Sequence, residues 1–343
     1  MAGPGGAKDG LQYGGMWMLL VTGAAGFIGS NVVAGLNEAG RADVAVNDIM
    51  GAEGKWRNLA KRQIVDVVPP AELFRWLEGR KLDGVIHMGA ISDTTATDAD
   101  AVLENNFRLS LKLLDWCTET RTPFIYASSA ATYGDGAAGF DDDWSLEALK
   151  KLTPMNLYGW SKHLFDMAVV ERAIKKEKLP PQWCGLKFFN VFGPNEYHKG
   201  EMMSLVCKRF DDVKAGRTVR LFKSHKAGIG DGEQRRDFIY VEDAVAVIRW
   251  LMNSPKVSGI FNVGTGKARS FRDLISAEFR ALGREPDIEY VDMPENIRGQ
   301  YQYFTEAKVD NLRRAGYNAG FTLLEDAVGQ YVTKFLDAND RYR

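Results

Sequence analysis

The sequence predicts an α/β fold, a doubly wound parallel sheet carrying a smaller mixed α/β lobe, and three observations predict it. Residues 22–30 read TGAAGFIGS between the apolar run Met18-Leu19-Leu20-Val21 and an amphipathic stretch, the pattern of a strand, a tight glycine turn and a helix. Short apolar runs then recur, each followed by a long helical pattern. Repeated βα units need crossovers of one hand, and these cover both faces of a parallel sheet. From about residue 192 the alternation loses its regularity, so the chain is expected to leave the sheet and build a second unit.

The first strand is 18–21, and glycines at 23, 26 and 29 follow it. Gly23 lets the chain turn sharply, Gly26 lets the backbone approach a pyrophosphate, and Gly29 lets the helix pack close to the strand. The helix, expected over 27–39, turns its unpaired N–H groups and positive dipole end toward an anion. Residues 43–48 (DVAVND) predict a second parallel strand, and 84–88 (GVIHM) and 124–127 (FIYA) two more, with helical patterns at 99–120 and 156–178. The run 185–191 (GLKFFNV) follows Pro180-Pro181, whose restricted backbones end the preceding helix. A glycine-rich charged loop at 223–236 then leads to a strand-like segment at 237–241 and a helix at 244–252.

These elements divide into a dinucleotide-binding unit over 16–190 and about 238–263, where the chain revisits the sheet, and a substrate-binding unit over 191–237 and 264–343. Residues 1–15 are glycine-rich and lack the apolar core of a secretory signal. They predict a disordered leader or expression remnant, with Met16 as an alternative start.

A chain of 343 residues with 45% apolar content suffices for two packed units. A formal charge of −1 leaves no global field to recruit nucleic acid or an acidic membrane, so a small-molecule substrate is expected. Cys117, Cys184 and Cys207 are odd in number, far apart and without CxxC spacing, and His87, His163, His198 and His225 show no metal-ligand spacing. Neither a disulfide framework nor a metal site is predicted, and the expected compartment is a reducing cytoplasm. No apolar stretch reaches the roughly 18 residues of a membrane span.

Tyr158 and Lys162 form a Tyr-x-x-x-Lys pair in NLYGWSKHLFD, and a four-residue step on a helix puts both on one face. The competing assignment is an ordinary surface pair. Position favours chemistry: the pair follows the strand 124–127 and the serine-rich turn 128–134 (SSAATYG), at the carboxyl ends of the strands, where ligands of such sheets bind. A phenol titrates near about pH 10, and an adjacent ammonium or a cationic nicotinamide favours the phenolate, so Tyr158 is expected to be tuned toward a general acid/base. Lys162 supplies that charge and holds the nicotinamide ribose, while Ser129 hydrogen-bonds the reacting oxygen and orients it for hydride transfer.

Together TGAAGFIGS, SSAATYG, YGWSK and RRDFIYVED resemble the extended short-chain dehydrogenase/reductase family of nucleotide-sugar epimerases and dehydratases, over residues 17–335. YASSAATYGDG, FFNVFGPNEYHKGEMMS, LFKS, GIFNVGTG, RGQYQYFTEA and NLRRAGY are similar to those family members that invert C6 of an ADP-activated heptose for bacterial lipopolysaccharide. The resemblance implies a Rossmann sheet, a homopentamer, ADP-heptose as substrate and tightly held NADP. That cofactor takes a hydride from C6, and the transient ketone takes it back on its other face. Because the two transfers use opposite faces, the family is thought to use two bases, and their positions match Tyr158 and Lys199, the latter within HKGEM. Catalysis by Lys199 needs its pKa lowered by desolvation or a nearby cation. The competing assignment is a solvated or phosphate-binding lysine, and His198 is the fallback proton carrier.

The resemblance carries further positions over singly. Phe27 and Ile28 follow Gly26 at the pyrophosphate turn, and Asp48 and Ile49 end the second strand. Met88, Gly89, Ala90, Ile91 and Ser92 flank the adenosine and nicotinamide sides, and Asn105, Lys162 and Val191 complete the cofactor shell. Asn190, Phe222, Lys223, Ser224, Arg236 and Tyr301 match substrate-contacting positions. A planar guanidinium suits bidentate capture of the ADP phosphates by Arg236, the competing assignment being an ion pair with Asp237 or Glu242. Glu201 stands where the family has a serine and Lys208 where it has a histidine, and the 223–236 loop is longer than the family pattern.

Asp48, 19 residues after Gly29, suits the ribose 2′-hydroxyl of NAD. Lys55 and Arg57 follow closely and can neutralise a 2′-phosphate, and Lys55 matches a cofactor-contacting lysine of the family, so NADP is expected, with NAD the alternative. Two rival functions are a nucleotide-sugar 4-epimerase or dehydratase and a non-catalytic dinucleotide-binding scaffold or redox sensor. Elimination usually needs a carboxylate beside the serine, absent from Ser129-Ala130-Ala131-Thr132. A sensor needs none of Ser129, Tyr158 and Lys162.

Overall fold

The computed structural model describes residues 18–298 and 301–343; the leader expected at 1–15 lies outside the described residues. Strands are numbered in chain order. β1 (Met18–Thr22), β2 (Val44–Asn47), β3 (Asp66–Val68), β4 (Leu82–His87), β5 (Phe124–Ser129), β6 (Trp183–Phe188), β7 (Asn190–Phe192), β8 (Val219–Phe222), β9 (Arg235–Arg236), β10 (Phe238–Tyr240), β11 (Gly259–Val263), β12 (Arg269–Ser270) and β13 (Ile288–Val291) make up the described strands.

Seven of them form one parallel sheet in the order β11-β6-β5-β4-β1-β2-β3. Leu19, Val21, Val46 and Ile86 face one apolar layer, while Leu20, Val85, Phe124 and Ile260 face the other. Burial on both faces is why these strands read as continuous apolar runs instead of alternating ones. The winding reverses between β1 and β4, which opens a crevice at their carboxyl ends.

Three local expectations are corrected. The run 185–191 is two strands, because the chain changes partners at Phe189: its N–H bonds Val263 O on the main sheet, whereas the Asn190 N–H bonds Asp237 O. β7 then pairs with β10 alone, so 238–240 stays outside the main sheet and only β11 rejoins it. The helical pattern at 99–120 is broken by a π-helical stretch at Glu104–Arg108 between the Ala99–Leu103 and Leu109–Thr120 helices. β3 was not expected, since Asp66 and Val67 are exposed on an edge strand too short to show a pattern.

Beyond β7, the pairs β8/β13 and β9/β12 pack with the Leu205–Lys214, Phe271–Ala281 and Leu324–Tyr331 helices. Phe192, Phe210, Leu274, Val328 and Tyr331 form a core between these helices, and Val213, Val219, Leu221, Ile275 and Phe279 form a second one under β8 and β13. Among the described residues no helix is long and apolar enough to cross a membrane.

Candidate active site

The glycine turn works through close approach. Gly23 has φ 63°, and a Cβ there would fall 2.5 Å from Gly89 Cα, so β1 and β4 meet backbone to backbone at the crevice. A Cβ on Gly29 would fall 2.1 Å from Gly23 O, which seats the Phe27–Glu38 helix against the turn. Gly26 is that helix's N-cap and brings no side chain to its first-turn N–H groups, leaving them to an anion.

Asp48 closes the turn from β2. Its Oδ2 accepts the N–H groups of Ala25 (2.8 Å) and Gly26 (3.1 Å), and its Oδ1 pairs with Lys55 Nζ at 2.8 Å. Both oxygens of the carboxylate expected at the ribose are therefore engaged, and its charge is compensated by Lys55.

A cleft of about 580 Å³ opens at this point, within the size range of cofactor pockets. On its walls the structure brings together Gly23, Gly26, Phe27, Ile28, Gly29, Asp48, Lys55, Met88, Gly89, Ala90, Ile91, Ser92, Ser129, Tyr158, Lys162, Val191, His198 and Lys199. Asp93, Thr94, Ala127, Ser128, Phe188, Phe189 and Met202 line it as well and were not expected. Two expected cofactor residues stay off the walls. Ile49 is 64% exposed, and Asn105 turns its amide back to Ala101 O at 2.9 Å within its own helix. Its neighbour Asn106 has a structural part, behind the cleft wall. Buried Asn106 accepts the Ile91 N–H (2.8 Å), donates to Ile91 O (2.9 Å) and donates to Ser161 Oγ (3.0 Å), tying the 88–92 wall to the helix of Tyr158.

That helix, Leu157–Ile174, starts on an Asn156 cap. Gly159 packs it against the Ser129 turn, where a Cβ would lie 2.7 Å from Ala131 O. Tyr158, Lys162 and Asp166 follow at four-residue steps along one face. Lys162 is buried, and burial pulls its ammonium down to about 8 against the attraction of Asp166. From the protein alone, burial pushes the Tyr158 phenol above the usual tyrosine value, and its hydrogen bond with Ser129 pulls the other way; the lowering expected from the sequence counts on the charge of a nicotinamide as well. Desolvation of the phenolate outweighs that one bond.

Lys199 stands on the opposite loop, with Nζ 5.1 Å from the Phe27 ring centroid. Burial lowers its pKa, opposed by Glu196 and Cys207 and aided by Lys208. A desolvated amine on the cleft wall is not the solvated lysine of the competing assignment, though a phosphate-binding lysine fits the same place. His198 is pulled down to about 4, first by burial and then by Lys55 and Lys199, and its Nδ1 lies 3.3 Å from Asn58 Nδ2. At the Asp48–Lys55 end of the cleft, a weakly basic imidazole makes a poor fallback.

The expected substrate positions fall into two groups off the cleft walls. Glu201 and Lys208 pair with each other at 2.8 Å beside the Lys199 loop. Arg236, Phe222 and Tyr301 cluster in the lobe: the Arg236 guanidinium lies 5.2 Å from the Tyr301 ring centroid, and the Phe222 and Tyr301 rings meet edge to face at 6.4 Å. The Asp237 carboxylate is taken by Thr265, Gly266 and Ala307, and no carboxylate among the described residues pairs with Arg236, so the ion-pair alternative fails. Lys223 Nζ lies 3.7 Å from Asp292, Ser224 N–H bonds Asp231, and Asn190 stands exposed on β7. Gln302, next to Tyr301, donates to Gly134 O and joins this cluster to the Ser129 turn.

Comparison with known proteins follows the same lines. A sequence model of the NAD dependent epimerase/dehydratase family matches residues 19–264. The chain is 50% identical over 329 residues to the ADP-L-glycero-D-manno-heptose-6-epimerase of Nitratidesulfovibrio vulgaris, covering 95% of this chain and 100% of that one. The crystal structure of the enzyme of that name from Helicobacter pylori superposes with a TM-score of 0.78 at 28% identity, covering 93% of this chain and 96% of that one. The UDP-glucose 4-epimerase of Thermus thermophilus, solved in complex with NAD, superposes with a TM-score of 0.71 at 25% identity, covering 92% and 97%.

Proposed function

The chain belongs to the NAD dependent epimerase/dehydratase family, and on that premise we propose that it converts ADP-D-glycero-D-manno-heptose to ADP-L-glycero-D-manno-heptose by inverting C6. The enzyme is an isomerase, and its cofactor is a nicotinamide dinucleotide. The observation that carries the reading is the cleft that unites the glycine turn, Ser129, Tyr158, Lys162 and Lys199, in a chain that shares half its residues with a named 6-epimerase along nearly its whole length.

The cradle fits the dinucleotide. The Gly26 cap leaves first-turn N–H groups for a pyrophosphate, and the close Gly23–Gly89 approach keeps side chains out of the crevice. Ser92, Lys162 and Val191 stand further along the walls for the nicotinamide half. When bound, a nicotinamide would supply reversible hydride transfer at C6, and the residues around it would handle the protons. Tyr158 holds and moves the proton at the C6 oxygen on one face, with Ser129 orienting that oxygen. Lys162 holds the ribose and keeps positive charge beside the phenol. Lys199 serves the other face, where burial lowers its pKa from the usual lysine value and so eases release of its proton. Arg236, with its guanidinium over the rings of Tyr301 and Phe271 and paired with no carboxylate among the described residues, is suited to the ADP phosphates. Asn190, Phe222, Lys223 and Ser224 complete the sugar-nucleotide side, and Glu201 and Lys208 stand at its edge.

We assign NADP as the preferred form. Lys55 already neutralises Asp48, so a 2′-phosphate meets a compensated carboxylate with a lysine beside it. A cytoplasmic homopentamer is part of the same reading, tested by light scattering of the purified chain. The 4-epimerase or dehydratase alternative is not favoured.

The deciding experiment incubates purified protein with ADP-D-glycero-D-manno-heptose, without added cofactor, and follows C6 by NMR. Appearance of the L-glycero epimer is expected. An unchanged spectrum from cofactor-loaded protein would overturn the proposal.

A further inference from the structure

The loop 193–204 carries His198, Lys199 and Met202 into the cleft, and one side chain closes it. Glu196 is fully buried. Its Oε1 accepts the Ser204 hydroxyl at 2.6 Å and the Gly193 N–H at 3.4 Å, and its Oε2 accepts the Ser204 N–H at 2.6 Å. The first and last residues of the loop are thus fastened to a single carboxyl group. Within the loop, the Lys199 N–H bonds Glu196 O at 3.0 Å and the Met202 N–H bonds Lys199 O at 2.9 Å, so Lys199 sits in the tight turn that Glu196 begins. Asn195, at φ 72°, adopts a left-handed conformation just before it, held by bonds from its amide to Ser30 Oγ and from Arg343 N–H to its Oδ1.

Every donor to that carboxyl is neutral, and among the described residues no lysine or arginine forms an ion pair with it within 4.0 Å. A buried carboxylate in such a setting needs a compensating charge nearby. The titratable groups around the pair are few. Cys207 and Lys208 face Lys199 from the Leu205–Lys214 helix, the neighbouring His198 lies within its field and is itself pulled down to about 4, and Cys207 and Tyr331 face Glu196. Lys208 is itself paired with Glu201. That leaves Lys199 as the cation that answers Glu196.

We propose that Glu196 is a positioning residue for Lys199: its carboxyl group buckles the 193–204 loop and serves as the counter-charge of the amine, holding it at the cleft wall with a proton it can exchange. The proposal rests on the reading of Lys199 as the second base. Burial drives the carboxyl upward and the amine downward, and each group is the first to oppose that drift in the other. Glu196→Gln keeps the shape and one acceptor but removes the charge, so the amine loses its restraint.

The test measures the titration of Lys199 without turnover. The full chain is labelled with trace acetic anhydride across a pH series, and the Lys199 peptide is quantified by mass spectrometry, in parallel with the pH dependence of kcat. E196Q is expected to lower the apparent pKa of Lys199 by about one unit, shifting that limb of the kcat profile with it. S204A, which strips a donor from the carboxylate but keeps its charge, is expected to raise the pKa, and it serves should E196Q fail to fold. Unchanged Lys199 labelling in either variant overturns the proposal. A labelling shift with an unmoved kcat profile supports the role of Glu196 and overturns Lys199 as the base, so the two failures are distinct.

Discussion

Lys187 donates at 2.9 Å, with both side chains sealed from solvent, to Asp166, one turn beyond Lys162 on the helical face that carries Tyr158. Lys187 also donates to Thr132 at 2.6 Å, and Asp166 accepts from Ser128 at 2.7 Å and Tyr126 at 3.1 Å, so the pair links the Ser129 turn to the Tyr158 helix. Removing one partner leaves a buried, uncompensated charge, which costs about 3–5 kcal/mol. K187M is therefore expected to lower stability by that order, and adding D166N should recover part of it. Urea midpoints of the two variants check this; equal loss in both would argue against a coupled pair.

Tyr158→Phe should reduce turnover to below a few per cent of wild type while the cofactor stays bound, because only the phenolic oxygen is lost from a ring whose packing is kept. Epimer formation by NMR and cofactor content by absorbance separate the two effects. Substantial residual turnover would remove Tyr158 as the base.

His87 is buried at the end of β4, between Thr22 and Ser110. The Ser110 hydroxyl donates to Asn106 O at 2.8 Å, so it must accept from His87 Nε2–H at 2.9 Å, while Thr22 Oγ1, 2.6 Å from Nδ1, donates to it. The imidazole is thereby kept neutral, and burial, with Lys162 nearby, pulls its pKa down to about 3. The unfolded chain takes up this proton below its ordinary value of about 6.5 and the folded chain does not, so its contribution is full above that pH. It is lost on acidification toward pH 3, at up to about 1.4 kcal/mol per pH unit. Chemical denaturation between pH 6.5 and 4 should show a steeper loss of stability for wild type than for H87Q; parallel slopes would contradict the assignment.

Gly29→Ala would drive a Cβ to within 2.1 Å of Gly23 O, and the contact is backbone, so the helix itself must shift. Overpacking of this kind costs about 1–3 kcal/mol or more, here taken at the phosphate turn. The variant should fold with a reduced melting temperature and release its cofactor on dilution, as followed by fluorescence. Wild-type retention would show that the turn tolerates the methyl group.

Lys55→Ala removes the cation that pairs with Asp48 Oδ1 and leaves the carboxylate's charge uncompensated, with only its backbone bonds from Ala25 and Gly26. Affinity for NADP should fall about tenfold relative to that for NAD, from the lost charge-assisted contact and the restored repulsion. Calorimetry with each cofactor measures the ratio; an equal change in both would reject Lys55 as the discriminating residue.

Much of this architecture was legible in the chain. The strand-to-helix turn at glycines 23, 26 and 29 is legible because the positive φ at Gly23 and the approach of Gly29 to Gly23 O are local demands that larger residues do not meet, whereas the approach of Gly23 to Gly89 appears only once β1 and β4 lie side by side. The step from Tyr158 to Lys162 was equally visible, and continuing it by one more turn would have reached Asp166. Other participants left no local mark. Asn106 looks like its neighbour Asn105, and only the π-helical register decides which amide reaches Ile91. The split of 185–191 at Phe189 depends on where β10 and β11 lie, more than forty positions onward in the chain.

By itself the sequence determined the parallel sheet, the glycine turn and the helix face shared by Tyr158 and Lys162, since periodicity and steric rules act over a few residues. Only the tertiary structure decided that the Tyr158 phenol shifts upward, that Asp48 is already engaged by Lys55, and that Lys199 is desolvated and faced by Glu196. The physical reason is common to all three: burial and the fields of neighbouring charges are set by groups brought together from distant segments, and desolvation has no signature until the chain has closed around the group.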